Sequence, residues 1–299
     1  MKKVAKDVVI GCSQSVELAQ KIARKLNIRY SGLETGYFPD QETHVRFKNP
    51  LKGKNVILVQ SLHNPNESLI ELLLAAYTAK EIGAKKVILV APYMCYMRED
   101  SRFHKGEAIS SKVIGKIISR AVDELYTIDP HLHRFHNLKE VFSIKATRLS
   151  AVKEISGYIK KNFKSPVVIG PDAESYQWAE AVAKPIGCEV AVLEKKRAGM
   201  YGQRKMKVNM PGEGTIKGKQ AIIVDDIISS GHTIIETIKN LKKAGAKDIS
   251  CIAVHGIFAG KAYKKIKAAG CKRIITSNSV AHQSNKIDLS EIISKKIKK

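Results

Sequence analysis

Two adjacent carboxylates and a group of small hydroxyl residues mark the segment best suited to chemistry, AIIVDDIISSGHTIIETI at residues 221–238. Its four leading apolar residues predict a buried strand, after which Asp225 and Asp226 emerge and an amphipathic helix follows. Ligands of open parallel sheets bind outside the carboxyl ends of the strands. The unpaired N–H groups of a helix N-terminus at that edge favour a phosphate.

The loop between this strand and this helix adds donors of its own. Ser229, Ser230 and Thr233 carry hydroxyls, and Gly231 lets the backbone approach a ligand closely. The two carboxylates suit a diol such as the ribose 2- and 3-hydroxyls, so a sugar phosphate matches both features. Helix capping by Ser230 or Thr233 is the alternative. Capping explains one hydroxyl but leaves two like charges side by side, which are costly unless something binds them.

Short β-branched runs alternate with amphipathic helical patterns along the whole chain, which is typical of βαβ units and a parallel sheet. We therefore predict an α/β protein. The predicted strands are Val8–Ile10, Val56–Gln60, Val87–Ala91, Leu125–Ile128, Val167–Ile169, Val190–Leu193, Ala221–Val224, Ile249–Val254 and Arg273–Thr276. The predicted helices are Ser15–Leu26, Glu67–Ile82, Ser110–Ala121, Leu149–Lys161, Glu174–Ile186, Thr233–Ala244 and Lys261–Ala268.

The chain also repeats itself. VVIG occurs at 8–11 and again at 167–170, each time before a helical pattern. NVILVQS at 55–61 leads through a helix to EIGAKKVILVAP, and QAIIVDD at 220–226 leads through a helix to KAGAKDISCIAVHG. Elements that recur in the same order indicate a duplicated doubly wound domain. We predict a boundary near residues 145–147, with domains at 1–146 and 147–299.

The charge of the chain invites anionic partners, because 52 basic and 28 acidic residues among 299 give a net charge of +24. The basic residues are spread over the whole length, and only the tail, with Lys295, Lys296, Lys298 and Lys299, is dense. Aromatic residues make up 6% of the chain, which leaves few platforms for stacking bases. We therefore predict a phosphate site with solvated basic faces rather than specific nucleic-acid binding.

Other features of the composition concern the compartment. The apolar runs are far shorter than the ~20 residues of a membrane span, and the start of the chain lacks the apolar region of an export signal. The five cysteines, Cys12, Cys95, Cys188, Cys251 and Cys271, are scattered without a CxxC pair. This pattern favours reduced thiols in a cytoplasmic protein without a membrane association.

The first half contains two further polar segments, YFPDQETHVRF at 37–47 and APYMCYMREDSRFHKGEAIS at 91–110. The second leaves a predicted strand and carries Arg98, Arg102, His104 and Lys105 before a helix begins. A basic loop at the carboxyl end of a strand can hold a polyphosphate. A merely solvated loop remains the alternative for this segment taken alone.

Taken together, these segments resemble the ribose-phosphate pyrophosphokinase family, whose two domains have the type I phosphoribosyltransferase fold. The resemblance extends from about residue 8 to residue 280. It includes LVQS at 58–61, the basic loop, DPH at 129–131, PD at 171–172, EKKR at 194–197, the loop at 225–233 and TSNSV at 276–280. A nucleobase phosphoribosyltransferase would explain the loop at 225–233 but would leave the first half without a task.

The resemblance implies a transfer of the β,γ-diphosphoryl group of MgATP to the C1 hydroxyl of ribose 5-phosphate, with Mg²⁺ as cofactor. It also implies a dimer or hexamer whose ATP sites are shared between subunits. The implied ATP contacts are Phe38, Asp40, Gln41 and Glu42 of a neighbouring subunit, together with Arg98, Glu99 and Asp100. The implied metal ligands are His131 and Asp172, and the implied catalytic residues are Lys195 and Arg197. The implied ribose 5-phosphate contacts are Arg197, Asp225, Asp226, Ser229, Ser230, Gly231, His232 and Thr233.

Four positions depart from the family pattern. Gln41, Glu174 and His232 stand where glycines are usual, and Glu99 stands where the ATP loop normally has glutamine. Because histidine tolerates a positive φ poorly, we expect the loop around His232 to be shaped differently, and this residue could donate to the 5-phosphate. Glu99 would bring a negative charge near the triphosphate. A diphosphokinase for another pentose phosphate and a non-catalytic regulatory homologue remain alternatives.

Overall fold

The computed structural model describes residues 7–102, 104–132, 134–172, 175–197, 204–209 and 216–298. The chain divides into two compact units, each with its own sheet. The first unit runs to Ser150 and also contains Ser279–Ala281 and Leu289–Lys299, and the second contains Ala151–Asn278 and His282–Asp288.

Strands alternate with helices over much of the chain, as the sequence predicts, but several strands follow one another directly at the edge hairpins. The strands are β1 Asp7–Gly11, β2 Arg29–Tyr37, β3 Thr43–Phe47, β4 Asn55–Val59, β5 Lys86–Ala91, β6 Glu124–Ile128, β7 Lys145–Leu149, β8 Val167–Gly170, β9 Glu189–Arg197, β10 Arg204–Asn209, β11 Gln220–Ile228, β12 Asp248–Gly256, β13 Arg273–Ser277 and β14 Asn285–Ile287. The helices are α1 Val16–Leu26, α2 Pro65–Glu81, α3 Ser110–Ala121, α4 Val152–Asn162, α5 Tyr176–Ala183, α6 His232–Lys243, α7 Ala262–Ala268 and α8 Ser290–Ile297.

The two sheets have the same strand order. The first is β3-β2-β1-β4-β5-β6-β7, and the second is β10-β9-β8-β11-β12-β13-β14. In both, one hairpin at the edge is antiparallel, β2–β3 and β9–β10, and the other neighbours are parallel. This arrangement confirms the predicted fold class of two duplicated doubly wound domains.

The repeat extends to the hydrogen bonds of the turns. Gly53 N donates to Gly83 O at 2.7 Å, and in the second unit Gly218 N donates to Gly245 O at 2.9 Å. Gly53 and Gly218 both lie in the left-handed region, with φ of 73° and 74°, a conformation that glycine adopts without cost. Equivalent turns with the same backbone conformation are what a duplicated domain would retain.

The hydrophobic cores explain why the central strands read as continuous apolar runs. Both faces of a doubly wound sheet are covered by helices, so β4 and β5 each bury four or more consecutive residues. Amphipathic helices cover them: α1 buries Leu18, Ile22 and Leu26 on one stripe. The second unit has a separate core around Ile223 and Ile238.

The structure differs from the sequence prediction mainly at the edges of the sheets. Five strands were not predicted: the four edge strands β3, β7, β10 and β14, and β2, which lies next to β3. Two predicted strands were too short, because β9 continues to Arg197 and β11 continues to Ile228. Polar residues interrupt the apolar pattern in both places, while main-chain pairing with β10 and β12 continues.

The division of the chain also differs from the predicted boundary. β7 completes the first sheet, so the first unit ends at Ser150 and not at residue 146. The C-terminal residues from Leu289 belong to the first unit, where α8 contacts α1 and Lys25 Nζ lies 2.6 Å from Glu291 Oε2. The second domain is therefore not the continuous segment 147–299 that the repeat predicts.

Two observations concern the helices and the cysteines. None of the helices in the described ranges is long and apolar enough to cross a membrane. The five cysteines all lie in described positions, and none of them forms a disulfide.

Candidate active site

Three carboxyl groups approach one another at the carboxyl edge of the second sheet. Asp225 and Asp226 lie within β11, between β8 and β12, and Asp226 N donates to Asp225 Oδ1 at 3.0 Å. Burial, together with the charges of Asp226 and Asp172, raises the pKa of Asp225 well above its usual range. Carboxylates crowded in this way are stabilised by a bound cation or by ligand hydroxyls.

Asp172 is fixed by a local turn at the start of α5. It follows β8, and its Oδ1 accepts hydrogen bonds from Ser175 N at 3.0 Å and Ser175 Oγ at 2.9 Å. Ser175 Oγ in turn accepts from Asp172 N at 3.0 Å. Asp172 therefore organises the entry to a helix and also contributes charge beside Asp225. Glu174, a departure from the family pattern, lies outside the described residues.

The loop after β11 is held by the neighbouring chain segment. Ile228 O accepts from Ile257 N and from Phe258 N, both at 3.0 Å. Gly231 then precedes α6 with φ of 76°, and a Cβ at this position would lie 2.9 Å from Ile266 Cδ1. Glycine is thus required here for both its conformation and its size. Ser229 is partly exposed and Ser230 is exposed at the mouth of this loop.

His232 and Thr233 form the first turn of α6. The left-handed residue is Gly231, and His232 is an exposed helical residue. No positive φ occurs at position 232, because Gly231 adopts the left-handed conformation instead, so histidine is accommodated there without backbone strain. Thr233 is partly exposed, and its carbonyl accepts from Thr237 Oγ1 at 2.8 Å inside the helix.

Phe258 supports this loop, and the sequence reasoning missed it. Its backbone is left-handed, with φ of 51°, and its ring packs 5.3 Å from Tyr263 and 4.5 Å from His282, measured between ring centroids. A Cβ on Gly256 would lie 2.6 Å from the Phe258 ring. An aromatic residue two positions after a strand-terminal glycine was the available signal.

The predicted catalytic residues lie in the edge hairpin of the second unit. Lys195 pairs in register with Met206, and Arg197 pairs with Arg204. β9 runs beside β8, where Val192 is opposite Gly170, the last residue of β8. Lys195 therefore lies in the part of β9 that extends past the last residue of β8. This is the carboxyl edge of the sheet, where Asp172 follows β8 in the sequence.

The tip of the corresponding hairpin in the first unit carries the predicted nucleotide segment. Phe38 N donates to Glu42 O and Gln41 N donates to Phe38 O, both at 2.9 Å. Gln41 adopts φ of 73°, which explains why a glycine is expected at this position. The Phe38 ring is half exposed and meets His44 edge-on at 5.8 Å, and Asp40 and Glu42 are exposed.

The three predicted nucleotide contacts in the loop after β5 have different surroundings. Arg98 is exposed. Glu99 Oε2 accepts from Ser110 Oγ at 3.0 Å at the start of α3, a helix N-terminus that favours a negative charge. Asp100 is buried and binds Arg134, with Oδ1 2.6 Å from Arg134 Nη1 and Oδ2 3.1 Å from Arg134 N. Asp100 thus supports the loop from inside.

The two predicted metal ligands lie in different units. His131 is partly exposed in the segment after β6 of the first unit, and Asp172 belongs to the second. Across the described ranges, no group of three or more His, Cys, Asp or Glu side chains could hold a metal by itself. The oxygen donors around Asp225 nevertheless fit the preference of Mg²⁺ for carboxylates, retained waters and substrate phosphates.

An acid-bearing central strand, a glycine loop and a helix N-terminus on a doubly wound sheet define a protein of the phosphoribosyltransferase class. Residues 140–290 match the model of the phosphoribosyl transferase domain. Residues 8–121 match the model of the N-terminal domain of ribose phosphate pyrophosphokinase. Each half of the chain therefore matches one of these two domain models.

Relatives of similar length identify the family within this class. The chain is 34% identical over 295 residues to ribose-phosphate pyrophosphokinase of Methanobrevibacter smithii, covering 96% of this chain and 98% of that one. It is 31% identical to that of Sulfolobus acidocaldarius, covering 97% and 100%. The crystal structure of phosphoribosylpyrophosphate synthetase from Mycobacterium smegmatis shares the fold, with a TM-score of 0.84, 24% identity and 98% of each chain covered. The chain belongs to the ribose-phosphate pyrophosphokinase family, a family of transferases, as the resemblance predicted.

Proposed function

We propose that this protein transfers the diphosphoryl group of MgATP to the C1 hydroxyl of ribose 5-phosphate, giving phosphoribosyl pyrophosphate and AMP. The observation that carries the proposal is the pair Asp225–Asp226, whose crowded carboxyl groups lie directly before a glycine loop and a helix N-terminus. A sugar phosphate supplies hydroxyls to the acids and an anion to the helix.

Ribose 5-phosphate would bind with its ring hydroxyls at Asp225 and Asp226. Its phosphate would lie on the loop from Ser229 to Thr233, where the helix dipole and hydroxyl donors favour an anion. Gly231 lets this loop pack closely on α7, because a side chain at this position would meet Ile266. His232, exposed in the first turn of α6, is placed to donate to the phosphate.

Transfer requires cations that neutralise the charge spread over the reacting phosphoryl group while the attacking and leaving oxygens are held in line. We assign this role to Lys195 and Arg197 of the second hairpin and to the exposed Arg98 of the first unit. Arg197 would also contact the sugar phosphate. The hairpin tip with Phe38, Asp40, Gln41 and Glu42 would contact the nucleotide from a neighbouring subunit.

The proposal includes Mg²⁺ and self-association. His131 and Asp172 are the proposed protein ligands, and the ion would offset the negative charge of the triphosphate. We propose a homo-oligomer, because a hairpin tip that serves a neighbouring site requires a second copy. Cytoplasmic location stays a prediction from the sequence.

The test is a product assay with purified protein. We expect AMP and phosphoribosyl pyrophosphate to appear when MgATP and ribose 5-phosphate are both present, and neither product when the sugar is left out. A preference for a different pentose phosphate would identify the divergent diphosphokinase. Absence of turnover with retained ligand binding would identify a regulatory homologue. Calorimetry that detects no binding of any pentose phosphate to folded protein would contradict the proposal altogether.

A further inference from the structure

The chain leaves β12 through a strained segment that contacts the proposed sugar-phosphate loop. Gly256 ends β12 opposite Ile228, the last residue of β11. The N–H groups of Ile257 and Phe258 then both donate to the carbonyl of Ile228 at 3.0 Å. Phe258 and Lys261 adopt positive φ, of 51° and 65°. Bulky side chains rarely adopt this conformation, and such strain persists where the surrounding structure fixes it, often beside a ligand site.

The ring of Phe258 packs between two other rings. Its centroid lies 4.5 Å from that of His282 and 5.3 Å from that of Tyr263, and the latter two centroids are 5.0 Å apart. We call these three rings the aromatic cluster. Tilted and edge-on pairs at such distances attract one another. The Phe258 ring also lies against the end of β12, where a Cβ on Gly256 would be 2.6 Å from Phe258 Cε2. These contacts offset the cost of the left-handed backbone.

A chain of hydrogen bonds fixes His282 within the aromatic cluster. His282 Nδ1 accepts from Ser284 N at 3.1 Å, so the ring proton is on Nε2, and Ser284 Oγ donates to the same Nδ1 at 2.7 Å. Thr276 Oγ1 then donates to Ser284 Oγ at 2.7 Å and accepts from Asn285 Nδ2 at 2.9 Å. Thr276 and Ser284 are buried, and burial lowers the pKa of His282, which favours the neutral ring. Thr276 begins the TSNSV segment, which has no part in the proposed chemistry.

The same part of the chain contacts the loop at a second point. Tyr263 of the aromatic cluster and Ile266 lie one turn apart on α7. Gly231 packs against Ile266, because a Cβ on this glycine would lie 2.9 Å from Ile266 Cδ1. The loop that begins at Ser229 is therefore held before its first residue, at Ile228 O, and at its last, Gly231. Both contacts come from the segment that carries the aromatic cluster.

We infer that Phe258 is a positioning residue for the sugar-phosphate loop and that His282 acts through it. The role rests on the proposed function, because it concerns the groups that would bind ribose 5-phosphate. Phe258 acts through the loop backbone at Ile228, so its loss should weaken binding of the sugar. Binding of the nucleotide should be unaffected, since its proposed contacts, such as Phe38 and Arg98, belong to the first unit. A ring that only stabilised the second unit would leave the affinity of folded protein unchanged.

Calorimetry with ribose 5-phosphate and, separately, with MgATP tests this role. We expect Phe258→Leu to weaken ribose 5-phosphate binding by about 10-fold, the order that a slightly misplaced site costs, and to change MgATP binding by less than about 2-fold. Phe163→Leu is the matched control, because Phe163 is a buried ring of the same unit, packed 3.8 Å from the guanidinium carbon of Arg273. The control should keep its affinity for both ligands, and circular dichroism would establish that both variants are folded.

Hydrogen exchange of the ligand-free protein gives a reading that needs no substrate. Amides of residues 229–235 should exchange faster in Phe258→Leu than in the wild type, because the start of the loop is held less firmly. Phe163→Leu should leave them unchanged. Equal exchange in the wild type and the Phe258 variant would overturn the positioning role, and so would faster exchange of this segment in both variants.

A double-variant cycle tests the part played by His282. His282→Ala should weaken ribose 5-phosphate binding by about 3-fold, and adding it to Phe258→Leu should weaken binding no further. Additive losses would overturn the link between the two rings.

The affinities also separate this role from the proposed function. A wild-type chain that binds no pentose phosphate would overturn both. A wild-type chain that binds ribose 5-phosphate, with a Phe258 variant that binds it equally well, would overturn the positioning role alone. A Phe258 variant that loses affinity for MgATP as much as for the sugar would do the same.

Discussion

The two units have sheets with the same strand order, but they carry different side chains where the central strands end. Val8 pairs with Val56 in the first unit, and Val167 pairs with Ala221 in the second, so the repeated VVIG segments fix which positions are equivalent. The equivalent positions at the carboxyl edge are Gln60 and Asp225, Ser61 and Asp226, and Ser13 and Asp172. Every carboxylate of the second site thus has a neutral counterpart in the first unit.

The first unit fills this edge with its own side chains. Gln60 is buried, and its Oε1 accepts from Gln14 N at 3.1 Å. The buried carboxylate of Glu71 accepts from Ser13 N at 2.8 Å and also from Ser13 Oγ. The side chain of Glu71 therefore occupies the donors of Ser13 that a ligand could otherwise bind. One copy of a duplicated fold is closed by its own residues, while in the other three carboxyl groups approach one another where we propose that a ligand binds.

The largest expected effect comes from the second hairpin. Lys195→Ala should lower turnover by about 100-fold or more, because a cation on the transferring group is lost while β9 stays paired. Steady-state rates with saturating MgATP and ribose 5-phosphate measure this. Lys196→Ala, at the next position of the same strand, is the control and should keep the wild-type rate. Near-wild-type turnover of the Lys195 variant would remove this residue from the mechanism.

Replacing one acid by an amide makes the second site resemble the first. Asp225→Asn should weaken ribose 5-phosphate binding by roughly 10-fold to 100-fold, the loss of a charged hydrogen bond, measured by calorimetry. The same change should raise the melting temperature by about 2–4 °C, the shift for roughly 1 kcal/mol in a domain of this size.

The stability gain of Asp225→Asn should depend on pH. The raised pKa of Asp225 means that ionisation is harder in the folded chain than in the unfolded one. The resulting cost is absent below the ordinary aspartate pKa of about 3.9 and grows with pH until the raised pKa is passed. The variant should therefore exceed the wild type most at neutral to mildly alkaline pH. An equal difference at all pH values would show that charge is not the cause.

Substitution of the glycine before α6, compared with a matched glycine elsewhere, distinguishes backbone strain from steric conflict. Gly231→Ala should weaken ribose 5-phosphate binding by about 10-fold and lower the free energy of unfolding by about 1–3 kcal/mol, through a positive φ and contact with Ile266. Gly218→Ala is matched to it, since φ is 74° there and nothing lies within 4 Å of the added Cβ. This control should show about 1 kcal/mol of strain with unchanged ligand binding. Equal losses of affinity in both variants would contradict a specific role for the loop.

The smallest expected effect lies in the first hairpin. Gln41→Gly should raise the free energy of unfolding by about 0.5–1 kcal/mol. The backbone at position 41 is left-handed, and glycine adopts this φ more readily than glutamine does. Urea denaturation would measure it. Gly36→Ala, in β2 with nothing within 4 Å of its added Cβ, controls for the hairpin and should not show this gain. A lower stability of the Gln41 variant would mean that its side chain makes a contact worth more than the strain.

The sequence predicted the central strands because burial on both faces leaves long apolar runs, as in β4 and β11. It also predicted the acid pair and the glycine loop, whose residue types are unusual at a strand end. Edge strands such as β3 were missed because their exposed positions are polar and their pairing depends on the main chain.

Contacts between distant segments were beyond sequence reasoning. Asp100 was interpreted as a nucleotide contact, yet its carboxylate is bound by Arg134, more than thirty residues away in the chain. Phe258 follows a strand-terminal glycine, but this pattern does not show that its backbone N–H donates to Ile228 O at the base of the loop. Local patterns indicate which side chains a segment has, and only the tertiary structure decides what each of them faces.

The position of α8 has a consequence for how the chain folds as it is made. A ribosome releases the N-terminal part first, and domains normally fold in that order. Here the helix that contacts α1 follows the second unit in the sequence, so the first unit reaches its final packing only after the residues of the second unit have been synthesised. The first unit thus matures after the second has been synthesised, although most of its residues precede the second unit in the sequence.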